Sequence, residues 1–316
     1  MAKRVRKLTG TQQIMQTATE KLQKYGHDVT RKSYIRQVKR YIKFCREHYD
    51  SKTFEDCEAH IQAYSDFLQK ENYSASTIHT YLAAVCSVFE INLSTVQKPI
   101  RHVAEYKKGR ASIDLNAQND LKNPAWAHIV EFQRRAGIRR DELRRLTGAD
   151  FVYDESHYPC VYVPKGKGGK MQYQRILEKD IDFIRSYFDS VPPTERIFDK
   201  KYFENNLNFH KLRAEAAKEY YAEQVKKIKE NPAYAAKLEA EIRLRWQTMN
   251  LTKKGNPKKF KEVELHGVYS LRGKNRALAI EKGLPVHYDK LALLATSVFK
   301  LSHWRNDVTI GSYLLV

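Results

Sequence analysis

From Arg31 to Tyr49 the apolar residues Ile35, Val38, Tyr41, Ile42 and Cys45 recur at steps of three and four, leaving Arg36, Lys39, Arg40 and Lys43 on the opposite side. A strand alternates every two residues, so this spacing commits the stretch to a helix with one buried stripe and one basic face. Thr53 and Asp56 have the spacing of a capping pair ahead of a second run carrying Ile61, Tyr64, Phe67 and Leu68. Ser76 is placed to cap a third helix with Ile78, Leu82, Val85 and Phe89 on one stripe. About four such helices make a compact domain whose stripes are core, and any function falls to the exposed basic side.

Between Gln97 and Asn123 the periodicity fades, and Lys107-Lys108-Gly109-Arg110 marks a polar, basic stretch. The expected domains are therefore 1–109 and 110–316. Helical pattern resumes at Pro124. Pro159–Val163 and Met171–Ile176 then read as two strands flanking a Lys/Gly-rich turn. Phe209 to Asn250 is rich in Ala, Glu and Lys and is broken at Asn231-Pro232, where Asn can cap one helix and Pro can open it. This predicts a helical hairpin, about 212–250. The cationic run Lys253 to Lys261 fits a solvated loop or a phosphate grip equally well. The fold class expected is mainly α with a small β-sheet.

At 316 residues each domain has enough chain to bury its own core without disulfide or metal. Lys plus Arg outnumber Asp plus Glu by 57 to 37, a formal net charge of +20 that favours a polyanionic partner, nucleic acid above all. Cys45, Cys57, Cys86 and Cys160 have neither CxxC nor metal-ligand spacing and read as buried thiols in a reducing compartment. The basic start runs into Thr9-Gly10-Thr11 where a signal peptide needs an apolar run, and no apolar stretch approaches about 18 residues, so a bacterial cytoplasmic location is expected, at the nucleoid when DNA is bound.

Four further segments follow in order: Gly137-Ile138-Arg139-Arg140-Asp141-Glu142-Leu143, Lys165-Gly166-Lys167-Gly168-Gly169-Lys170, Tyr269-Ser270-Leu271-Arg272, and Leu301-Ser302-His303 with Tyr313 ten residues on. Breaking a phosphodiester with a tyrosine oxygen needs a nucleophile, cations around the phosphorane, and an acid for the departing sugar oxygen. Arginine forks suit the phosphate, and a lysine can give up a proton.

In these segments the chain resembles the tyrosine recombinases, the family of phage integrases and chromosome-dimer resolvases. The resemblance implies an N-terminal SAM-like, core-binding helical domain and a C-terminal α+β catalytic domain that form a C-shaped clamp on duplex DNA. It puts the first catalytic arginine at Arg139, with Arg140 as the alternative and Glu142 in support. Lys167 becomes the general acid toward the 5′-oxygen, Tyr269-x-x-Arg272 the counterpart of the His-x-x-Arg box, His303 the donor to a nonbridging oxygen, and Tyr313 the nucleophile that forms a 3′-phosphotyrosine. Ser76, Thr77, His79, Thr80, Lys165 and Lys170 are candidate DNA contacts.

Tyr269 stands where the family has histidine, and a phenol of pKa about 10 can donate a hydrogen bond but is no neutral-pH base; His266 is a possible substitute. The 212–250 hairpin reads as an insertion on this pattern. Leu314-Leu315-Val316 is shorter than the helix that follows the nucleophile in many relatives, so either the hairpin makes the protomer contacts or the tyrosine acts in trans. The implied activity is site-specific recombination by a prophage or mobile-element integrase through a Holliday junction. Its implied partners are core-site DNA, further protomers up to a tetramer, and an accessory DNA-bending protein, with no cofactor and no metal. Two alternatives stand beside it, relaxation of DNA in the manner of a type IB topoisomerase and a DNA-binding relative with a disabled site.

Overall fold

The computed structural model describes residues 10–26, 28–102, 115–251 and 255–315, in two compact units, Met1–Tyr106 and Lys107–Val316. The expected boundary at Gly109 lies outside the described residues.

The first unit holds α1 (Gly10–Lys21), α2 (Asp28–Tyr49), α3 (Phe54–Glu58), α4 (Ile61–Lys70) and α5 (Ala75–Val88). The stripe read from α2 is its core face: Val38, Tyr41, Ile42 and Cys45 are buried, while Arg36, Lys39, Arg40 and Lys43 are exposed. Tyr41 donates its hydroxyl to the Cys57 carbonyl and packs against Phe44, Tyr64 and Phe89, which seals α2 onto α3, α4 and the end of α5. Thr53 and Asp56 form the expected capping box on α3. Ser76 is not the cap of α5. Ser74 is, its Oγ accepting from the Thr77 N–H at 3.2 Å, because Tyr73-Ser74 already leaves the preceding turn in extended geometry. Cys45, Cys57, Cys86 and Cys160 are all buried, free thiols.

The second unit begins with α6 (Leu115–Lys122), α7 (Ala127–Ala136) and α8 (Arg140–Leu143). An antiparallel sheet follows: β1 (Phe151–Tyr153), β2 (Pro159–Val163) and β3 (Gln172–Arg175), with Val161 opposite both Phe151 and Gln174. The two expected strands are β2 and β3; β1 is an additional edge strand too short to show alternation in sequence. After α9 (Ile181–Asp189) come α10 (Phe209–Glu230) and α11 (Pro232–Met249), joined at Asn231, whose side chain accepts from the Tyr234 N–H while Pro232 occupies the first helical position. The chain closes with β4 (Val268–Ser270), α12 (Gly273–Glu281), β5 (His287–Asp289), α13 (Lys290–Ala295), a π-helical turn Thr296–Lys300, α14 (Asn306–Thr309) and a second π-helical turn Ile310–Leu314.

The helical pair is present, but its first helix is no appendage. Leu212, Ala214, Ala216, Ala217 and Tyr220 are buried, and the three alanines let α10 lie close against α7, α13 and the terminal π turn. Its second helix is bolted to the sheet by charge: Asp154, at the end of β1, accepts at 2.7 Å from both Arg175 of β3 and Arg245 of α11. Burial alone would raise Asp154, but Arg175 and Arg245 overcome it and hold the carboxyl below its usual range. Removing that carboxylate breaks the one link shared by both guanidinium groups and leaves Arg175 paired with Glu241 and Arg245 with Glu155. Asp154→Ala is expected to cost about 1–3 kcal/mol in chemical denaturation, whereas a loosely attached hairpin would register almost no loss.

Candidate active site

The site starts at the end of α7. Gly137 stops that helix in the left-handed region at φ 66°, and a β-carbon there would lie 3.0 Å from Ala216 Cβ and 3.4 Å from Lys300 Cε. The chain then turns extended through Arg139, which leads into α8, so that Arg139 and Glu142 face one another one helical turn apart. Arg139 Nη1 donates to Glu142 Oε1 at 2.8 Å and to Gln172 Oε1 at 3.1 Å. Arg140 turns away, donating to the Phe203 carbonyl and lying over the Phe209 ring, so it does not join this network.

Alternation along β3 puts Gln172 and Gln174 on the same face, and they carry the network inward. Gln172 donates to Glu142 Oε1 at 3.1 Å, Gln174 donates to Gln172 Oε1 at 3.2 Å, and Arg213 of α10 donates to Gln174 Oε1 at 2.9 Å. Gly166 lets the Gln172 amide cross the β2–β3 turn, since a β-carbon there would collide with it. Arg213 is fully buried. Its Nη atoms also donate to the Gly137 and Leu301 carbonyls, the latter at 2.9 Å, which ties the Arg139 turn to the segment that carries His303, while its buried Nε has no hydrogen-bond partner among the described residues. Its guanidinium lies 5.7 Å from the centre of the Tyr313 ring.

The last two site residues are held by a pair of π turns, a backbone irregularity common at functional sites. His303 N–H donates to the Ser297 carbonyl at 2.8 Å, and the Ser297 hydroxyl bonds to Asn306 Oδ1 at 3.0 Å and Thr309 Oγ1 at 2.6 Å, pinning α14 to the first π turn. The Tyr313 ring is buried, 5.0 Å from that of His210 and 6.3 Å from that of His303. His210 bonds through Nε2 to the Ser312 carbonyl at 3.1 Å, fixing the backbone at the tyrosine.

The tautomer of His303 follows from its neighbours. Its Nδ1 accepts from the Arg305 N–H at 3.3 Å, so the neutral ring carries its proton on Nε2, a buried atom with no hydrogen-bond partner among the described residues. Burial, then the charges of Arg213 and Arg139, push the ring down to about 3, which keeps it neutral at physiological pH. Burial likewise lowers His210.

Two expected residues stand apart from this cluster. Tyr269 pairs with Tyr288 between β4 and β5, and its hydroxyl is raised by burial and by Asp307 and Glu264. Arg272 is exposed at the start of α12; among the described residues no hydrogen bond, ion pair or ring contact joins Tyr269 or Arg272 to Arg139, His303 or Tyr313. His266 is exposed, 3.5 Å from Glu239. The sequence reading overlooked His210, Gln172, Gln174 and Arg213. For two of them the signal was present: His210-Lys211-Leu212-Arg213 is itself a His-x-x-Arg box, passed over because α10 was taken for the start of an insertion. Lys167 begins the short 3-10 turn between β2 and β3, and its side chain lies outside the described residues. Lys165 and Lys170 are exposed on the same turn. On α5, His79 bonds to the Pro99 carbonyl at 2.8 Å, Thr77 bonds to the Ser74 cap, and Thr80 bonds back to the Ser76 carbonyl, leaving Ser76, Thr77 and His79 half-buried and Thr80 exposed.

Residues 14–98 match the family described as phage integrase, N-terminal SAM-like domain. The match lies within the first unit, and the mostly helical two-unit build with small sheets is the α+β arrangement expected from the sequence. Among solved structures, the crystal structure of XerA recombinase aligns with 19% identity over 65% of this chain and 83% of that one, at a TM-score of 0.25, a likeness too loose to carry weight. No curated protein sequence matches the chain. Among the described residues no helix is long and apolar enough to cross a membrane.

Two measurements probe the scaffold of this site. Ser302 is held in the left-handed region at φ 51° with its hydroxyl buried, so Ser302→Gly should stabilise the protein by about 0.5–1 kcal/mol; a loss would mean that the hydroxyl is needed. Lys300 is fully buried beneath Gly137, donating to the Arg135 carbonyl, and burial together with Arg213 pushes it down to about 7 against the pull of Asp180 and Glu219. An unfolded lysine keeps its proton to about pH 10.4. The unfolded chain therefore binds more protons between these values, and stability should rise with pH from about 7 upward. Melting curves of the wild type and Lys300→Met at pH 6 to 9 should diverge in slope; parallel curves would contradict the assignment.

Proposed function

We propose that this protein is a site-specific DNA recombinase of the integrase type, cleaving and rejoining DNA through a 3′-phosphotyrosine on Tyr313. One observation carries the reading: Tyr313 is packed by its own chain among His210, Arg213 and His303, within a network that reaches Arg139 and Glu142. A surplus of 20 positive charges supplies the attraction for the DNA backbone.

In this reading Tyr313 Oη attacks phosphorus and the bond to the 5′-oxygen breaks. The phenolic proton passes to His210, neutral in its buried setting, and Lys167 gives a proton to the departing 5′-oxygen. Arg139 and Arg213 offset the charge gathering on the phosphorane, and His303 Nε2–H donates to a nonbridging oxygen. Arg213, not Arg272, takes the second arginine role, with His210 in the place first given to Tyr269. The new phosphodiester conserves the energy of the old one, so the free 5′-hydroxyl of a second duplex can reverse the step and pass strands through a Holliday junction. Tyr313 acts within its own chain, and assembly into a tetramer on core sites pairs the duplexes.

Metal-free incubation with plasmid carrying the flanks of its own gene should give denaturation-resistant protein–DNA adducts that vanish in Tyr313→Phe. Arg213→Ala should lower adduct formation by about 10²–10³-fold. A mixture of Tyr313→Phe and Arg213→Ala protomers should remain as inactive as its parts, whereas restored cleavage would show the tyrosine acting in trans. Recombinant product from two-site substrates separates this activity from simple relaxation by a topoisomerase-like enzyme.

A further inference from the structure

If Arg272 is not a phosphate clamp in the catalytic cluster, the segment that carries it needs another account. Its inner side is apolar: Leu271 and Ala279 are buried together with Tyr288, Leu293, Ile310, Leu314 and Leu315. The last three belong to the tail that carries Tyr313, so α12 shares a buried apolar cluster with the nucleophile segment. Lys282, just past the helix, reaches the Leu315 carbonyl at 3.4 Å. The outer side is of the opposite character. Arg272, Lys274, Arg276, Ala277 and Ile280 are exposed, Ile280 to 62%. Arg272, Arg276 and Ile280 follow one another at four-residue steps and so share one stripe of the helix. The first acidic residue of the segment is Glu281, at its far end.

We infer that the exposed face of α12 is a DNA-backbone contact beside the active site, with Arg272 and Arg276 seated against phosphates of the duplex that Tyr313 cleaves. The inference rests on the functional reading above and adds a contact surface to it. Charge selects the occupant, because a cationic stripe with no acid along it repels a second copy of this basic chain and attracts a polyanion. Continuity gives the position: a duplex whose phosphate lies at Tyr313 passes the helix packed on the Tyr313 segment. The exposed Ala277 and Ile280, both beyond Arg276, leave room for close approach to the sugar edge.

The test needs no knowledge of the target site, because phosphate contacts are independent of sequence. Binding of the full-length protein to a 30-base-pair duplex of arbitrary sequence, length about 30, would be followed across a salt series for wild type and for the double variant Arg272→Gln/Arg276→Gln. Two lost phosphate contacts should lower the slope of log affinity against log salt by about 1.8. A matching change at Lys200 and Lys201, exposed on a different segment, should move the slope less. Melting curves that coincide with wild type establish that the double variant is folded; if it is not, the single Arg276→Gln should lower the slope by about 0.9. A variant that keeps the wild-type slope and affinity overturns the inference, as does one whose only change is in self-association by sedimentation. Failure of the wild type itself to bind duplex with a salt-dependent slope would instead sink the functional reading.

Discussion

Everything in the candidate site hangs from one buried guanidinium. Among the described residues Arg213 has no counter-charge in direct contact; its Nη donors go to the Gly137 and Leu301 carbonyls and to Gln174, and through Gln174 and Gln172 it is linked to Arg139 and Glu142. Neutral acceptors leave its charge available to whatever enters beside it. Burial of so large a cation works against folding unless its hydrogen bonds are met, and these bonds also fix the distance between the Arg139 turn and the His303 turn. One side chain thus positions two site segments far apart in sequence.

The same economy appears on the opposite side of the tyrosine. His303 and Tyr313 sit at the ends of a short loop whose two helical pieces each close with a π turn, and the Ser297, Asn306 and Thr309 side chains lock one piece to the other. A regular α-helix has no place for the extra residue in each turn, so the irregular turns set where the imidazole and the phenol point. Lys300, the last residue of the first π turn, lies three residues before His303 and props the Gly137 turn from below. The geometry at the surface is therefore inherited from polar contacts that are themselves buried.

Local features of the chain were legible because their causes are local. The stripe of α2, the Thr53 and Asp56 capping box and the Asn231-Pro232 break each depend on residues within one or two helical turns. Arg139, Glu142, His303 and Tyr313 were legible as motif positions, and the structure joins Arg139 to Glu142 and His303 to Tyr313. What sequence could not weigh was long-range packing. Two His-x-x-Arg-like boxes stand at 210–213 and 269–272, and what distinguishes them is long-range packing: α10 packs against the turn that carries the tyrosine, whereas Arg272 is exposed. The alanines of α10 suit an inserted hairpin or a packed helix equally in composition, and here they are buried and let α10 pack centrally. Ser74 rather than Ser76 caps α5 because the cap is set by where the preceding turn goes extended, a conformational fact two residues wide.

The central claim is that this buried arrangement delivers Tyr313 to a phosphate. Peptide mapping by mass spectrometry of the protein–DNA adduct trapped on a nicked duplex tests it most directly. Cleavage by trypsin after Arg305 releases a peptide beginning at Asn306, in which Tyr313 is the sole tyrosine. That peptide should carry the mass of a nucleotide through its phosphate, with fragmentation placing it on Tyr313. A nucleotide found on any other residue, or an unmodified Asn306 peptide from a purified adduct, would contradict the account.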